Sequence, residues 1–136
     1  MSVEASTKKK ILLAEDDASM RRFIEVSLQK ANYEVVSAED GLAAMKIALG
    51  GETIDIIVAD AIMPNMTGHD LCRILRQNPQ TKELPFIILS GFEQSESLGG
   101  AAKNSLADAY LLKGANLKEE LLNTLSKFLT ERKATS

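Results

Sequence analysis

A doubly wound α/β sheet, five parallel strands interleaved with five helices, is the fold class that this 136-residue sequence predicts. Two features carry that expectation. Short runs that are apolar almost throughout recur along the chain, as parallel strands covered on both faces should be. Between them lie amphipathic stretches with apolar residues at 3.6-residue spacing. A third feature is where the polar residues fall: they close the apolar runs, at the sheet edge where such folds build their sites.

The strands are expected at Lys10 to Glu15, Tyr33 to Ala38, Ile54 to Asp60, Leu84 to Ser90 and Ala107 to Leu112. The clearest helix follows the first strand, with Met20, Phe23, Ile24, Ser27, Leu28 and Ala31 on one face. Leu117, Leu121, Leu125, Phe128 and Leu129 repeat the pattern near the end. The fourth helix, around Glu93 to Ser105, holds Gly99, Gly100 and several serines, all poor in helix interiors, and should be short or mobile. Residues 1–7 and 132–136 read as polar tails, leaving 8–131 as one domain, and no repeat divides it.

Composition removes several classes of function. A hydrophobic fraction of 45% with 26% charged residues is an ordinary globular balance, sufficient for a core at this length. The net charge of -3 argues against nucleic-acid phosphate or an anionic membrane as a partner. No apolar run approaches the roughly 18 residues of a membrane span. The single cysteine, Cys72, forms no internal disulfide, which suits a reducing cytoplasm. Cys72 reads as a packed or half-exposed thiol, and His69, without a Cys or His at metal spacing, as a surface residue early in the third helix. Arg21 and Arg22 fall on the polar side of the first helix and should meet solvent or a partner.

The strand ends gather the chemistry. Glu15 and Asp16 end the first strand in "KILLAEDD", Asp60 ends the third, Ser90 the fourth, and Lys113 follows the fifth. Carboxylates about 4 Å apart repel by roughly 4 kcal/mol at an effective dielectric of 20, so Glu15, Asp16 and Asp60 need a cation. Hard oxygen donors without thiolate or imidazole favour Mg²⁺, which keeps waters and takes one or two carboxylates plus a phosphate oxygen. With Mg²⁺ and Lys113 in place, such a site suits an incoming phosphoryl group, and Asp60 is placed to be its nucleophile. Asp17, followed by "ASM", reads as a helix N-cap rather than a ligand.

These residues resemble the receiver domain of two-component response regulators. The likeness rests on Glu15 and Asp16 in "LLAEDD", Asp60 with Met63 and Pro64 in "DAIMPNMTG", Ser90 in "FIILSG", and Tyr110 with Lys113 in "AYLLK". It covers about Lys8 to Leu129. The resemblance implies flavodoxin-like strand order 2-1-3-4-5 and a phosphoryl group accepted on Asp60 from a histidine kinase or histidine phosphotransfer protein. It puts Mg²⁺ on Asp16, Asp60 and the backbone carbonyl of Ile62, with Glu15 acting mainly through water. Ser90 and Lys113 would attend the phosphoryl group. Tyr110 fits either ordinary strand packing or the family's switch aromatic. The output would be a downstream protein target or onward phosphotransfer, through the face of the fourth helix, fifth strand and fifth helix. The length leaves no room for a DNA-binding effector, so a stand-alone receiver is the expected form.

The sequence departs from the family at Gly114, where proline is usual; a trans Lys113–Gly114 peptide is expected, since a non-proline cis bond costs about 2.5–4 kcal/mol. Ile62 and Phe92, two residues beyond Asp60 and Ser90, occupy variable positions. A haloacid-dehalogenase-type phosphatase would want a second acid where Ile62 stands. An FMN binder would want a Ser/Thr/Gly loop where "EDDAS" stands, and a phosphorylation-independent scaffold would have lost one of the acids or the lysine.

Overall fold

Nearly unbroken apolar runs give the three central strands two buried faces, and helices cover both. The computed structural model describes residues 8–91 and 106–135, with side chains to 129. The chain runs β1 (Lys10–Ala14), α1 (Ala18–Lys30), β2 (Glu34–Ala38), α2 (Gly41–Leu49), β3 (Ile56–Asp60), α3 (Gly68–Arg76), β4 (Phe86–Ser90), β5 (Ala109–Leu112) and α4 (Leu117–Thr135). All strands are parallel, in the order β2-β1-β3-β4-β5. The described residues therefore hold four helices; the expected helix at 93–105 lies outside them.

Leu12, Ala14, Ile57, Ala59 and Ile88 face one core layer, closed by Ala44 and Ala48 of α2 and Leu71, Cys72 and Leu75 of α3. Ile11, Leu13, Ile56, Val58, Ile87 and Leu89 face the other, closed by Ile24 and Leu28 of α1 and Leu117, Leu121, Leu125 and Leu129 of α4. Each helix that follows β1, β2 and β3 is started by a side-chain cap: Asp17 accepts from Met20 N, Asp40 from Ala43 N and Thr67 from Asp70 N. No helix among the described residues is long and apolar enough to cross a membrane.

Two sequence expectations change. Phe23 is 47% exposed and Ala31 is an exposed C-cap, so the buried stripe of α1 is narrower than its apolar spacing. Phe23 sits about 100° round the helix from Ile24, on the flank of the stripe. At the other end, α4 continues to Thr135, through the residues read as a C-terminal tail. Glu131, Arg132, Lys133 and Ala134 are good helix formers, so the polar composition that reads as a tail is equally compatible with a continuing helix. The pole opposite the carboxylates holds a knot that sequence reading missed. Arg76 pairs with Asp108 at 2.9 Å and donates to the carbonyls of Lys82, Leu84 and Leu106, while Asp108 accepts from Phe86 N at 2.8 Å. That tie fixes α3 against the entries to β4 and β5.

Candidate functional site

The chain winds from β1 outward to β2, then returns across β1 to build β3, β4 and β5, so strand order reverses beside β1 and β3. A crevice opens beyond the carboxyl ends of strands at such a reversal. Glu15 extends β1 into it, its N–H donating to Ala38 O at 3.1 Å, and is fully buried. Asp60 ends β3 and is 4% exposed; the next residue is tied to β4 by Ala61 N donating to Leu89 O at 2.7 Å. Lys113 extends β5, with its N–H on Ser90 O at 2.8 Å. Three strands thus deliver three charged groups to one place.

There the Lys113 ammonium lies 2.8 Å from Asp60 Oδ2 and 3.0 Å from Glu15 Oε1. Glu15 Oε2 accepts from Asp17 N at 3.1 Å, and Arg21 Nη1 donates to the Glu15 carbonyl at 2.9 Å. Arg21 is therefore a support of the acidic strand end rather than a solvent or partner contact, whereas exposed Arg22 reaches Glu25 at 3.6 Å. Asp17 is the cap that its sequence context indicated. Asp16 is exposed at the rim, and Ser90 is buried at the end of β4.

The loop leaving Asp60 is pinned from two sides. Gly68, first residue of α3, donates its N–H to Ala61 O at 3.0 Å, and a Cβ there would run into the Asp60 carbonyl oxygen. On the outer side Asn65, at φ 72°, donates from Nδ2 to Asp40 Oδ2 at 2.8 Å, and a Cβ on Gly41 would lie 2.5 Å from Met66 O. Gly68→Ala must therefore push α3 away from the strand end that carries Asp60. We expect a loss of about 1–3 kcal/mol in denaturant unfolding, as for overpacked positions. An unchanged midpoint would mean that α3 does not close on Asp60 this tightly.

Burial, and then the neighbouring charge of Asp60, raise the Glu15 carboxyl above its ordinary value, against the opposing pull of Lys113 and the Asp17 amide. Burial would pull the Lys113 ammonium down, but its hydrogen bonds to Asp60 and Glu15 outweigh it, and the ammonium stays above the usual lysine value. Asp60 Oδ1 is buried and has no hydrogen-bond partner among the described residues. One oxygen each from Glu15, Asp16 and Asp60 lie within 4.8 Å of one another. A single lysine against three carboxylates leaves net negative charge, and the donors are all hard oxygens, so the residues fit a Mg²⁺ ion.

Ile62, in the loop beyond Asp60, is 45% exposed, and Phe92 lies outside the described residues. The Lys113–Gly114 peptide is trans. Cys72 is fully buried, its thiol pushed up to about 11 by burial, and so is unreactive. His69 is not the surface residue its sequence setting suggested. It is half-buried, with Nδ1 at 3.3 Å from the Tyr110 hydroxyl and ring centroids 5.6 Å apart. Only its place two residues after the capping threonine, at the strand-end side of α3, hinted at a role.

The comparisons with known proteins agree with this geometry. The family model of the response regulator receiver domain matches residues 11–126. The response regulator ArlR of Staphylococcus saprophyticus is 35% identical over 113 residues, 82% of this chain and 49% of its own length. The chain spans about half the length of the curated relatives it matches. Among solved structures, the chemotaxis response regulator CheY4 of Vibrio cholerae aligns with a TM-score of 0.79 at 34% identity, over 90% of this chain and 99% of that one. The receiver domain of the sensor histidine kinase PA1611 from Pseudomonas aeruginosa has a magnesium ion coordinated in its active-site cleft. It aligns with a TM-score of 0.79 at 25% identity, over 91% of this chain and 99% of that one. With sheet order, strand-end acids and lysine all in the matched span, the chain belongs to the response regulator receiver domain family.

Proposed function

We propose that this chain takes up a phosphoryl group on Asp60 from a histidine kinase or histidine phosphotransfer protein and signals through a changed protein-binding surface. One observation carries the reading. Asp60 keeps one buried oxygen on Lys113 and leaves the other, Oδ1, without a partner among the described residues, beside two further carboxylates. Bound Mg²⁺, held by Asp16, Asp60 and the Ile62 carbonyl with Glu15 behind a water, would supply positive charge for the phosphoryl oxygens. Asp60 Oδ1 attacks phosphorus. An O–P bond forms as the donor's N–P bond breaks, and the leaving imidazole keeps the bonding electrons and is protonated from solvent. Lys113 balances the charge gathering on the phosphoryl oxygens, since transfer of this kind depends on positioning and neutralisation.

Ser90 is then drawn toward the new oxygens, and the inward placement of the Tyr110 ring over β4 is favoured over any outward one. That change is a population shift driven by contacts made only with the phosphoryl group present. A cytoplasmic setting and a protein target belong to the same proposal. Incubation with acetyl phosphate and Mg²⁺ should raise the intact mass by one phosphoryl group, and Asp60→Asn should gain none. A haloacid-dehalogenase-type phosphatase would instead consume acetyl phosphate with turnover and hold no stable adduct, and a scaffold would do neither.

Side chains two beyond Asp60 and Ser90 flank the path of an attacking water in this family, and here they are Ile62 and Phe92. Neither orients a water, so the acyl phosphate should hydrolyse slowly. Ile62→Asn with Phe92→Glu should shorten its lifetime after donor removal; an unchanged or slower decay would contradict this reading.

A further inference from the structure

Tyr110 and His69 belong to opposite sides of one strand. Tyr110 is on β5, and β4 separates β5 from β3 in the sheet. His69 is the second residue of α3, the helix that leaves β3 and packs on β4. For the phenol to come within 3.3 Å of His69 Nδ1, the Tyr110 ring must lean over β4, the strand that ends in Ser90. The ring also packs against the core layer that contains Ile88, its register partner on β4. The contact is therefore a bridge between α3 and β5 across the strand that carries the serine.

The chemistry of the bridge is directional. Burial, with Arg73 on the next turn, disfavours the imidazolium despite the adjacent Asp70. A neutral imidazole offers one acceptor nitrogen, and Tyr O–H donating to Nδ1 uses it. His69 Nε2 is buried without a hydrogen-bond partner among the described residues, so the Tyr110 hydroxyl is the ring's one hydrogen-bonding contact among them, and any ring position that separates the pair leaves the half-buried imidazole with none.

We infer that His69 is a positioning residue for Tyr110: it holds the switch ring inward and so biases the chain toward the phosphoryl-bound arrangement, an inference that rests on the proposed function of Asp60. Among the described residues no hydrogen bond or ion pair joins His69 to Glu15, Asp16 or Asp60, and its contact is with the tyrosine, through which it acts. Loss of one such hydrogen bond should weaken phosphoryl-analogue binding by about threefold to tenfold, the range of a single net hydrogen bond.

The chain has two tyrosines and no tryptophan. In a Tyr33→Phe background, with Tyr33 at the opposite end of the sheet, isotope-labelled tyrosine therefore reports Tyr110 alone by NMR. Fluoroberyllate with Mg²⁺ serves as the phosphoryl analogue, its binding followed by fluorine NMR. His69→Phe keeps a ring and removes the acceptor, whereas His69→Gln keeps a hydrogen-bonding group. The expected result is a moved Tyr110 Cζ signal and a threefold to tenfold weaker analogue in His69→Phe, with both restored toward the parent in His69→Gln. A Cζ signal indifferent to His69→Phe overturns the bridge. A moved signal with unchanged or tighter binding overturns its link to the switch. If parent and both variants alike fail to bind the analogue, the phosphoacceptor reading has failed, and this inference falls with it; an intact Cζ response would then locate the fault at Asp60 rather than at His69.

Discussion

Replacing Lys113 with alanine is expected to destabilise the metal-free protein by about 2–3 kcal/mol at neutral pH, somewhat under the ~3–5 kcal/mol of a fully buried pair because the Asp16 rim is open to water. The ammonium is the only cation within ion-pair reach of Glu15 and Asp60 among the described residues, and both acids are buried. Without it, two buried carboxylates face each other uncompensated. The sign with pH follows from Glu15. Its folded carboxyl already lies above the ordinary 4.5, through burial first and the charge of Asp60 second. Removing Lys113 deletes an opposing contribution and raises it further. A carboxyl raised by folding costs nothing below its unfolded value, and its cost grows as pH climbs through the folded value. The gap between Lys113→Ala and the parent should therefore narrow as pH falls toward 4.5, and a gap independent of pH would show that the lysine acts by packing alone.

Magnesium should act on the same charges from outside. At a concentration one hundred times its Kd, a ligand that binds only the folded state adds about 2.7 kcal/mol, a rise in Tm of roughly 8–12 °C for a domain of this size. The oxygens of Glu15, Asp16 and Asp60 within 4.8 Å of one another are the reason to expect it. Asp16→Asn should lose most of the rise. Because the exposed Asp16 carries no hydrogen-bonding duty in the fold comparable to that of Glu15, the metal-free variant should be at least as stable as the parent. An undiminished response to Mg²⁺ in Asp16→Asn would move the metal away from this cluster.

The sheet was legible in the sequence because strands buried on both faces leave nearly unbroken apolar runs, and Ile11–Ala14, Ile56–Ala59 and Phe86–Leu89 are such runs. The site was legible because each run stops on a charged or hydroxyl residue. Strand edges and helix ends were less so. The early residues expected in β2 to β5 belong to entering loops, and α4 continues through polar residues that resemble a tail. Arg21, Arg76 and His69 escaped for another reason. Each acts by reaching a distant carbonyl or ring, respectively Glu15, Leu106 and Tyr110, and no local pattern encodes such a partner. The Asp40–Asn65 bond is similar: each residue reads alone as a cap or a turn, and only the fold brings them together.

The central claim is that Asp60 is the acceptor, and reductive trapping tests it most directly. Borohydride reduces an aspartyl phosphate to homoserine but leaves a free carboxylate untouched. After exposure to acetyl phosphate and Mg²⁺, reduction and peptide mass sequencing should find homoserine at position 60 and nowhere else in the chain. Homoserine at Asp16, or a phosphoryl group retained on a serine or on His69 with position 60 still aspartate, would contradict the account.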